Sequence, residues 1–399
     1  MSNSTFTITH ASDGSTHSRP NIYPNPHLIN QKAKDRHNNA SRPAENAALT
    51  LHRQLPSYAT TPLHTLPSLS ASLNQHSIFL KDESTRFALP SFKILGASYA
   101  VHRALCQELS LDSDTSLIDL KTRISNSQSD GRDKSRNLTL VTASAGNWGR
   151  AVARSGVEMG VPVVVLVPGT TDGETVGLIA SEGREVDVRV LRMDYDRCVL
   201  EAQRLGERDG WVLTMDTSWA GYETIPAWVV EGYESMLVEV DEQVAEACGK
   251  GVKMVVVSVG VGSWAQAVVR HYRATGTRVV VVEPEHAAGL LASLCTGEVV
   301  TVATRKSIMN GMNCGTVSKI AWQSLRDGVD TAVAVGEGEV HDCVGYFEER
   351  GLSVGPCGAA PLAAVRRLYD AGLLAADADD GVVVLFSTEG SRSYDAPRK

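Results

Sequence analysis

The sequence predicts an α/β protein of two lobes, each an open, mostly parallel twisted sheet flanked by helices. Three observations support this fold class. The 399 residues exceed the roughly 250–300 at which a single hydrophobic core stops growing. The 43% hydrophobic residues and 34 glycines are typical of a compact chain with many tight turns. Short β-branched runs alternate with helical patterns, and such continuous apolar strands are typical of parallel sheets covered on both faces.

Eight runs are predicted as strands: 78–81, 138–142, 161–167, 186–191, 211–215, 253–259, 278–283 and 382–387. We assign 46–95 and 226–399 to a large lobe and 96–225 to a small lobe that closes over the substrate. Residues 1–45 are rich in Ser, Asn, His and Pro, and we expect a polar tail or surface arm there. The polar stretch 111–137 is expected to be a surface insertion.

Charge and cysteine usage exclude several classes of function. The formal net charge is -8 and no Lys/Arg block is present, which argues against a nucleic-acid or membrane partner and favours a small-molecule ligand. The seven cysteines are scattered without CxxC pairs, so we expect reduced thiols and no metal site. With no signal peptide and no apolar run of about 18 residues, we expect a cytoplasmic protein.

Lys93 is the first candidate reactive residue. It follows Pro90-Ser91-Phe92 and stands at the start of an apolar helical pattern. A helix N-terminus is partly positive, so a lysine amine held there should lose its proton more easily. A neutral amine suits imine formation with an aldehyde. The alternative is a solvated surface lysine, which is the commoner situation for this residue type.

A small polar loop in VTASAGNWGRAVA is the second candidate. Ser144, Ala145, Gly146 and Asn147 follow a predicted strand and precede a helix. Free N–H groups and a hydroxyl at a strand's carboxyl end can bind an anion such as a substrate carboxylate. The alternative is an ordinary strand-to-helix turn capped by Asn147.

Two further segments predict a phosphate site and a ring-nitrogen contact. Gly260, Val261, Gly262 and Ser263 follow a buried strand and open a helix, an arrangement that can enclose a phosphate. Their spacing matches neither GxGxxG nor GxxxxGK[ST], which makes a nucleotide the weaker interpretation. Ser387 ends another strand. A neutral hydroxyl beside a pyridine nitrogen leaves that nitrogen largely unprotonated and favours elimination over transamination, although a strand-end serine is also common in turns.

Lysine, asparagine loop, glycine loop and strand-end serine occur in the order typical of pyridoxal-phosphate enzymes of the tryptophan-synthase β-subunit type, the fold type II family. The chain resembles that family. The resemblance implies a Schiff base on Lys93, a contact of Asn147 with the ring oxygen, phosphate binding at Gly260 to Ser263, and Ser387 facing the ring nitrogen. It also implies an active site between the lobes and a homodimer.

Within that family the chain is similar to the diaminopropionate ammonia-lyases from about Tyr58 to Asp395, most specifically in DTSWAGYETIPAW. This resemblance places Asp216 at the acidic residue assigned to proton abstraction from the L-substrate. A carboxylate near the cofactor can take a proton or pair with a substrate ammonium. The alternative is that Asp216 caps the turn into the helix after Trp219.

The chain departs from that family at two places. Ala145 and Trp148 stand where the family has an Asp, which serves the D-enantiomer, and a His. Gly355-Pro356-Cys357-Gly358-Ala359 replaces Gly-Glu-Ser-Gly-Ala and lacks its carboxylate. Because a buried ammonium needs a partner carboxylate, serine, threonine, cysteine and O-activated serine become competing substrates. Cys357 is either a reactive thiol or, more in keeping with a buried cysteine, a packing residue.

We therefore expect α,β-elimination from a small L-amino acid such as 2,3-diaminopropionate, giving a 2-keto acid and ammonia. Either Lys93 or Asp216 is expected to remove the α-proton. The alternatives that use the same lysine are β-replacement and racemisation, and a non-catalytic amino-acid sensor is a further one. Retention of Lys93 argues against the sensor, because binding alone does not require a Schiff base.

Overall fold

The computed structural model describes residues 4–28, 46–129, 138–374 and 377–397, which divide into two compact units. The first unit is drawn from Met1–Pro43, Thr60–Thr85 and Met236–Lys399. The second is drawn from Ala44–Ala59 and Arg86–Ser235. Among the described residues, no helix is both long and apolar enough to cross a membrane.

The elements of the described residues are numbered along the chain. The strands are β1 Thr5–Thr9, β2 Thr16–Pro20, β3 Ile22–Pro24, β4 Leu63–Thr65, β5 Gln75–Asp82, β6 Leu140–Ala143, β7 Val163–Pro168, β8 Val186–Leu191, β9 Val212–Leu213, β10 Met254–Ser258, β11 Arg278–Pro284, β12 Thr331–Val335 and β13 Asp377–Ser387. The helices are α1 Ala47–His52, α2 Pro67–Ser72, α3 Lys93–Glu108, α4 Leu117–Ser129, α5 Asn147–Met159, α6 Gly173–Ala180, α7 Tyr195–Asp209, α8 Thr224–Gly232, α9 Glu234–Cys248, α10 Ser263–Tyr272, α11 Gly289–Thr296, α12 Lys319–Gly328, α13 Glu337–Glu348 and α14 Pro356–Asp370.

The first unit contains a seven-stranded sheet in the order β3-β12-β11-β10-β13-β5-β4. Its five inner strands pair in parallel, and β3 and β4 add antiparallel edges. Strands β10, β11 and β12 are rich in valine and almost wholly buried, as expected for a sheet covered on both faces. The prediction of an open, mostly parallel sheet is confirmed here.

The second unit contains the sheet β8-β7-β6-β9, in which every pair is parallel. Helix α3 packs against α5 and α8 within this unit. Its crossing with α8 is close, because a Cβ on Gly232 would lie 2.5 Å from the carbonyl oxygen of Leu95. This contact holds the first turn of α3, where Lys93 stands.

The N-terminal residues are more structured than a polar tail. Strands β1 and β2 form an antiparallel hairpin with Phe6 and Ile8 buried, and β3 joins the edge of the seven-stranded sheet. The hairpin lies along residues 301–303, where the backbone N–H of Ala303 donates to the carbonyl of Thr9. The remainder of the predicted tail, residues 1–3 and 29–45, lies outside the described residues.

The unit boundaries differ from the sequence-based ones. Residues 46–59, 86–95 and 226–235, which we assigned to the large lobe, fall in the second unit. The physical reason is that α3 is one continuous helix from Lys93, so a boundary at residue 95 would cut it in its first turn. The polar stretch 111–137 contains α4, which buries Leu117, Leu120 and Ile124, and its residues 130–137 lie outside the description.

A buried carboxylate in the first unit should make stability depend on pH. Glu283, at the end of β11, accepts the N–H groups of Leu290 and Leu291 at the start of α11, both at 2.8 Å. Burial raises the pKa of Glu283 to about 7, with the two hydrogen bonds acting in the opposite direction. The folded protein therefore holds a proton that the unfolded chain releases near its ordinary value of 4.5.

Because the pKa of Glu283 is raised, we expect its stabilising contribution to the free energy of unfolding to be at its maximum below about pH 4.5. It should decline by about 3 kcal/mol as pH rises to 7, because the native state binds the extra proton throughout this window. Urea denaturation of wild type and Glu283→Gln across this range checks the slope. Parallel pH profiles of the two proteins would show that Glu283 does not titrate there.

Candidate active site

Lys93, Asp216 and Trp148 form a group in the second unit that we call the lysine cluster. The Lys93 Nζ donates to Asp216 Oδ2 at 2.6 Å and lies 5.9 Å from the centroid of the Trp148 ring. The Lys93 side chain is 23% exposed and Asp216 only 8%. The amine is therefore reachable by a ligand while its counter-ion is held in a buried position.

The sheet of the second unit explains how these residues meet. Strands β6 and β9 pair in parallel, with Leu140 opposite Val212 and Val141 opposite Leu213, so their carboxyl ends lie at the same edge. The turn after β6 leads to Trp148, and the segment after β9 leads to Asp216. Ligands of parallel sheets commonly bind beyond such carboxyl ends.

Helix α3 supplies the third member, because Lys93 is its first residue. From the sequence alone, the only influence visible on Lys93 is the helix N-terminus, which disfavours a charged amine there. The structure adds the Asp216 carboxylate, which stabilises the charged amine and acts in the opposite direction. The Lys93–Asp216 pair is thus a short ion pair rather than an isolated amine.

The asparagine loop, residues 144–147, connects β6 to α5. Ser144 Oγ accepts the backbone N–H groups of Gly146 at 3.2 Å and Gly149 at 2.9 Å. Ser144, and not Asn147, therefore caps the turn, which corrects that alternative of the sequence analysis. Ala145, Gly146 and Asn147 are partly exposed beside the lysine cluster's Trp148. Their roles as substrate and ring contacts remain predictions.

The glycine loop, residues 260–263, lies in the first unit between β10 and α10. Gly262 has a φ of +95°, and a Cβ there would lie 2.9 Å from Leu325 Cδ1. A Cβ on Gly260 would lie 2.9 Å from the carbonyl oxygen of Gly311. Both positions thus require glycine. Gly260 and Val261 are partly exposed, Gly262 and Ser263 are buried, and the loop leads into the first turn of α10, whose first N–H groups lack an acceptor within the helix.

Ser387 lies at the same sheet edge as the glycine loop. Strand β13 pairs in parallel with β10, and the buried Ser387 ends it. A Cβ on Gly358 would lie 2.9 Å from Ser387 Oγ, so the start of α14 packs directly against this hydroxyl. Within the first unit, the structure therefore brings the predicted phosphate loop and the predicted ring-nitrogen contact to neighbouring strand ends.

Cys357 and Glu389 meet beside Ser387. The Cys357 backbone N–H donates to Glu389 Oε1 at 3.1 Å, and the Cys357 carbonyl accepts from Ser258 Oγ at 2.6 Å. Burial, together with the Glu389 carboxylate, raises the pKa of the Cys357 thiol well above its ordinary value. The thiol is therefore protonated near neutral pH, which favours the packing role over the reactive one.

Glu389 is a residue that the sequence analysis did not single out. It is 6% exposed and places a carboxylate next to the segment 355–359, where the sequence indicated that a family carboxylate was missing. Its contacts in the structure are with the N-terminus of α14 and with Arg392, whose Nε lies 3.5 Å from Glu389 Oε1. In the sequence, the feature that could have indicated Glu389 is its position two residues after Ser387.

Comparisons with known proteins find matches over most of the chain. Residues 55–388 match the model of the family described as pyridoxal-phosphate-dependent enzyme. The diaminopropionate ammonia-lyase of Salmonella typhimurium is 36% identical over 293 residues, which cover 70% of this chain and 69% of the relative.

Two solved structures of diaminopropionate ammonia-lyase from Escherichia coli are similar over 97% of this chain and 95% of theirs, at 26% identity. The complex with D-serine gives a TM-score of 0.78. The complex with an aminoacrylate-PLP azomethine reaction intermediate gives a TM-score of 0.76.

Proposed function

The chain belongs to the pyridoxal-phosphate-dependent enzymes, in the diaminopropionate ammonia-lyase family, and we propose that it releases both amino groups of 2,3-diaminopropionate as ammonia. The remaining product is the 2-keto acid pyruvate. The observation that carries this proposal is the Lys93 Nζ to Asp216 Oδ2 contact of 2.6 Å, because an amine and a carboxylate in hydrogen-bond contact are a suitable pair for proton transfer at one substrate carbon.

The described residues fit each part of the cofactor. Glycine at 260 and 262 lets the loop pack closely against Gly311 and Leu325, and the helix that follows offers N–H groups to a phosphate. Ser387 offers a buried neutral hydroxyl to a ring nitrogen. Lys93 offers an accessible amine to an aldehyde. When bound, pyridoxal phosphate supplies an electron sink for the charge that develops on the substrate α-carbon.

Lys93 and Asp216 then carry the proton transfers. Lys93 would hold the cofactor through its Nζ and, once displaced by the substrate amine, would be free to take up a proton. Asp216 accepts the α-proton, directly or from the released Lys93 amine, because the two side chains are in hydrogen-bond contact. Loss of the β-amino group leaves 2-aminoacrylate, which hydrolyses to pyruvate and a second ammonia.

Ser387 and the asparagine loop set the direction of the chemistry. A serine hydroxyl leaves the ring nitrogen largely unprotonated, which limits charge delocalisation and favours elimination over transamination. Ser144, Ala145 and Gly146 are proposed to hold the substrate carboxylate, and Asn147 to contact the ring oxygen. The glycine loop, through Gly260, Val261, Gly262 and Ser263, holds the phosphate.

Product stoichiometry tests this function most sharply. We expect the purified holoprotein to release two molecules of ammonia for each pyruvate from L-2,3-diaminopropionate. Because Ala145 removes the acid that serves the D-substrate, the D-enantiomer should react at least about 100-fold more slowly. Coupled pyruvate and ammonia assays measure both quantities. An ammonia-to-pyruvate ratio of one, with L-serine as the better substrate, would instead assign a dehydratase.

The homodimer and the cytoplasmic location belong to the same proposal. The family resemblance supports the homodimer, and the scattered single cysteines support a reducing compartment. Light scattering on the purified protein measures the assembly, and a fluorescent fusion locates the protein in its cell.

A further inference from the structure

We infer that Tyr222 and Trp148 form a two-sided clamp on residues 213–215 and thereby position Asp216 against Lys93. The clamp consists of contacts within the protein, so it can be tested without the cofactor. Its catalytic consequence rests on the proposed function, since it takes Lys93 and Asp216 as the reacting pair.

Tyr222 forms the first side of the clamp. Its hydroxyl donates to the carbonyl of Leu213 at 2.7 Å and accepts the backbone N–H of Met215 at 3.0 Å. One phenol therefore bridges two main-chain groups in the three residues before Asp216. Burial, with a smaller contribution from the Asp216 carboxylate, raises the pKa of Tyr222, so the phenol keeps the proton that it donates.

A tight turn brings Tyr222 back to this segment. The backbone N–H of Tyr222 donates to the Trp219 carbonyl at 3.0 Å, and the reverse hydrogen bond is 3.3 Å. Gly221 has a φ of +86°, a conformation that favours glycine at this turn. The Trp219 and Tyr222 rings stack with centroids 4.5 Å apart. The phenol position is thus fixed by its own turn and not only by its two hydrogen bonds.

Trp148 forms the second side. Its Nε1 donates to the carbonyl of Thr214 at 3.3 Å and to Thr142 Oγ1 at 3.1 Å, and the side chain is 4% exposed. The ring face also lies 5.9 Å from Lys93 Nζ. One side chain therefore contacts both the lysine and the backbone that carries its carboxylate partner.

Together these contacts restrain the three consecutive residues before Asp216. Strand pairing adds the hydrogen bond from the Thr214 N–H to the Val141 carbonyl, at 2.8 Å. A base must lie within hydrogen-bond reach of the proton it removes, and a displacement of about 1 Å can reduce the rate by about 100-fold. The clamp therefore restrains the backbone that leads into Asp216.

The first test is hydrogen exchange of the apoprotein, which needs no activity. Tyr222→Phe removes the acceptor of the Met215 N–H and retains the ring. We expect faster amide exchange in the peptide containing residues 213–216, with unchanged exchange in α3. Tyr99→Phe is the matched control, because Tyr99 also loses one hydroxyl hydrogen bond, to Arg103, in the same unit. Unchanged exchange in Tyr222→Phe would overturn the clamp.

The second test asks whether the clamp acts through Asp216. Tyr222→Phe should lower kcat by about 10–100-fold with little change in KM, since it displaces the base rather than a substrate contact. The same substitution in an Asp216→Asn background should have no further effect. An equal loss in both backgrounds would overturn the positioning role.

A second variant guards against simple misfolding. Trp148→Phe keeps an aromatic ring beside Lys93 but loses the Nε1–H donor and one ring of the buried indole, and its kcat loss should also vanish in the Asp216→Asn background. If no amino acid yields a keto acid, the proposed function fails. The apoprotein exchange experiment still decides on the clamp.

Discussion

Replacing Lys93 with alanine is expected to abolish the visible absorbance of the bound cofactor and to lower pyruvate formation by at least about 1000-fold. The substitution removes the amine that bonds to the aldehyde, and no other group in the lysine cluster is a primary amine. Spectrophotometry of the purified protein after incubation with pyridoxal phosphate measures the band, and the coupled assay measures turnover.

Lys121→Ala is the matched control for this experiment. Lys121 is an exposed residue of α4 in the same unit, and alanine is a good helix former at such a position. The control should retain both the band and the turnover of wild type. Retention of the band by Lys93→Ala would mean that another residue carries the cofactor.

Replacing Asp216 with asparagine is expected to lower the rate of α-proton exchange by about 100- to 10,000-fold. Asparagine keeps the shape of the side chain but loses the charge that pairs with Lys93 at 2.6 Å. Proton exchange of the substrate in deuterated buffer, followed by NMR, reports on this step separately from ammonia release. Exchange at the wild-type rate would remove Asp216 as a base and leave Lys93 in that role.

Asp187→Asn provides the control for Asp216. Asp187 lies on β8 in the same unit and forms an exposed ion pair with Arg189. Pairs of this kind contribute little to stability, so this variant should exchange the α-proton as fast as wild type. A comparable loss in both variants would indicate a general effect of lowering negative charge.

The fold class was predictable because most of its strands lie in short, continuous apolar runs. All eight predicted runs contain a strand, since the valine-rich segments leave few other ways to bury their side chains. The missed elements lack this signal. Strand β2 reads THSRP and is held by pairing with β1, while α4 buries three apolar residues among many polar ones. Tertiary contacts decide the structure of such segments.

The candidate site was predictable only in part. The glycine requirement at Gly260 and Gly262 follows from a motif, and the structure adds the backbone reasons for it. The resemblance of the chain to the diaminopropionate ammonia-lyases, rather than any spacing rule, indicated that Lys93 and Asp216 act together. The hydroxyl of Tyr222 and the carboxylate of Glu389 escaped notice, because their importance depends on partners brought close by folding.

The capping of the asparagine loop illustrates the same limit. Asn147 is the usual residue type for a helix N-cap, and the sequence suggested it. In the structure the Ser144 hydroxyl reaches forward to Gly146 and Gly149, which depends on the turn geometry after β6. Asn147 is partly exposed, and its contact with the ring oxygen stays a prediction.

The most direct test of the account is the chemical identity of the residue that carries the cofactor. The holoprotein is reduced with borohydride, digested, and analysed by peptide mass spectrometry. We predict a phosphopyridoxyl group on Lys93, and the yield of this labelled peptide should fall when L-2,3-diaminopropionate is added first. Modification of another lysine, or an unmodified protein after incubation with pyridoxal phosphate, would contradict it.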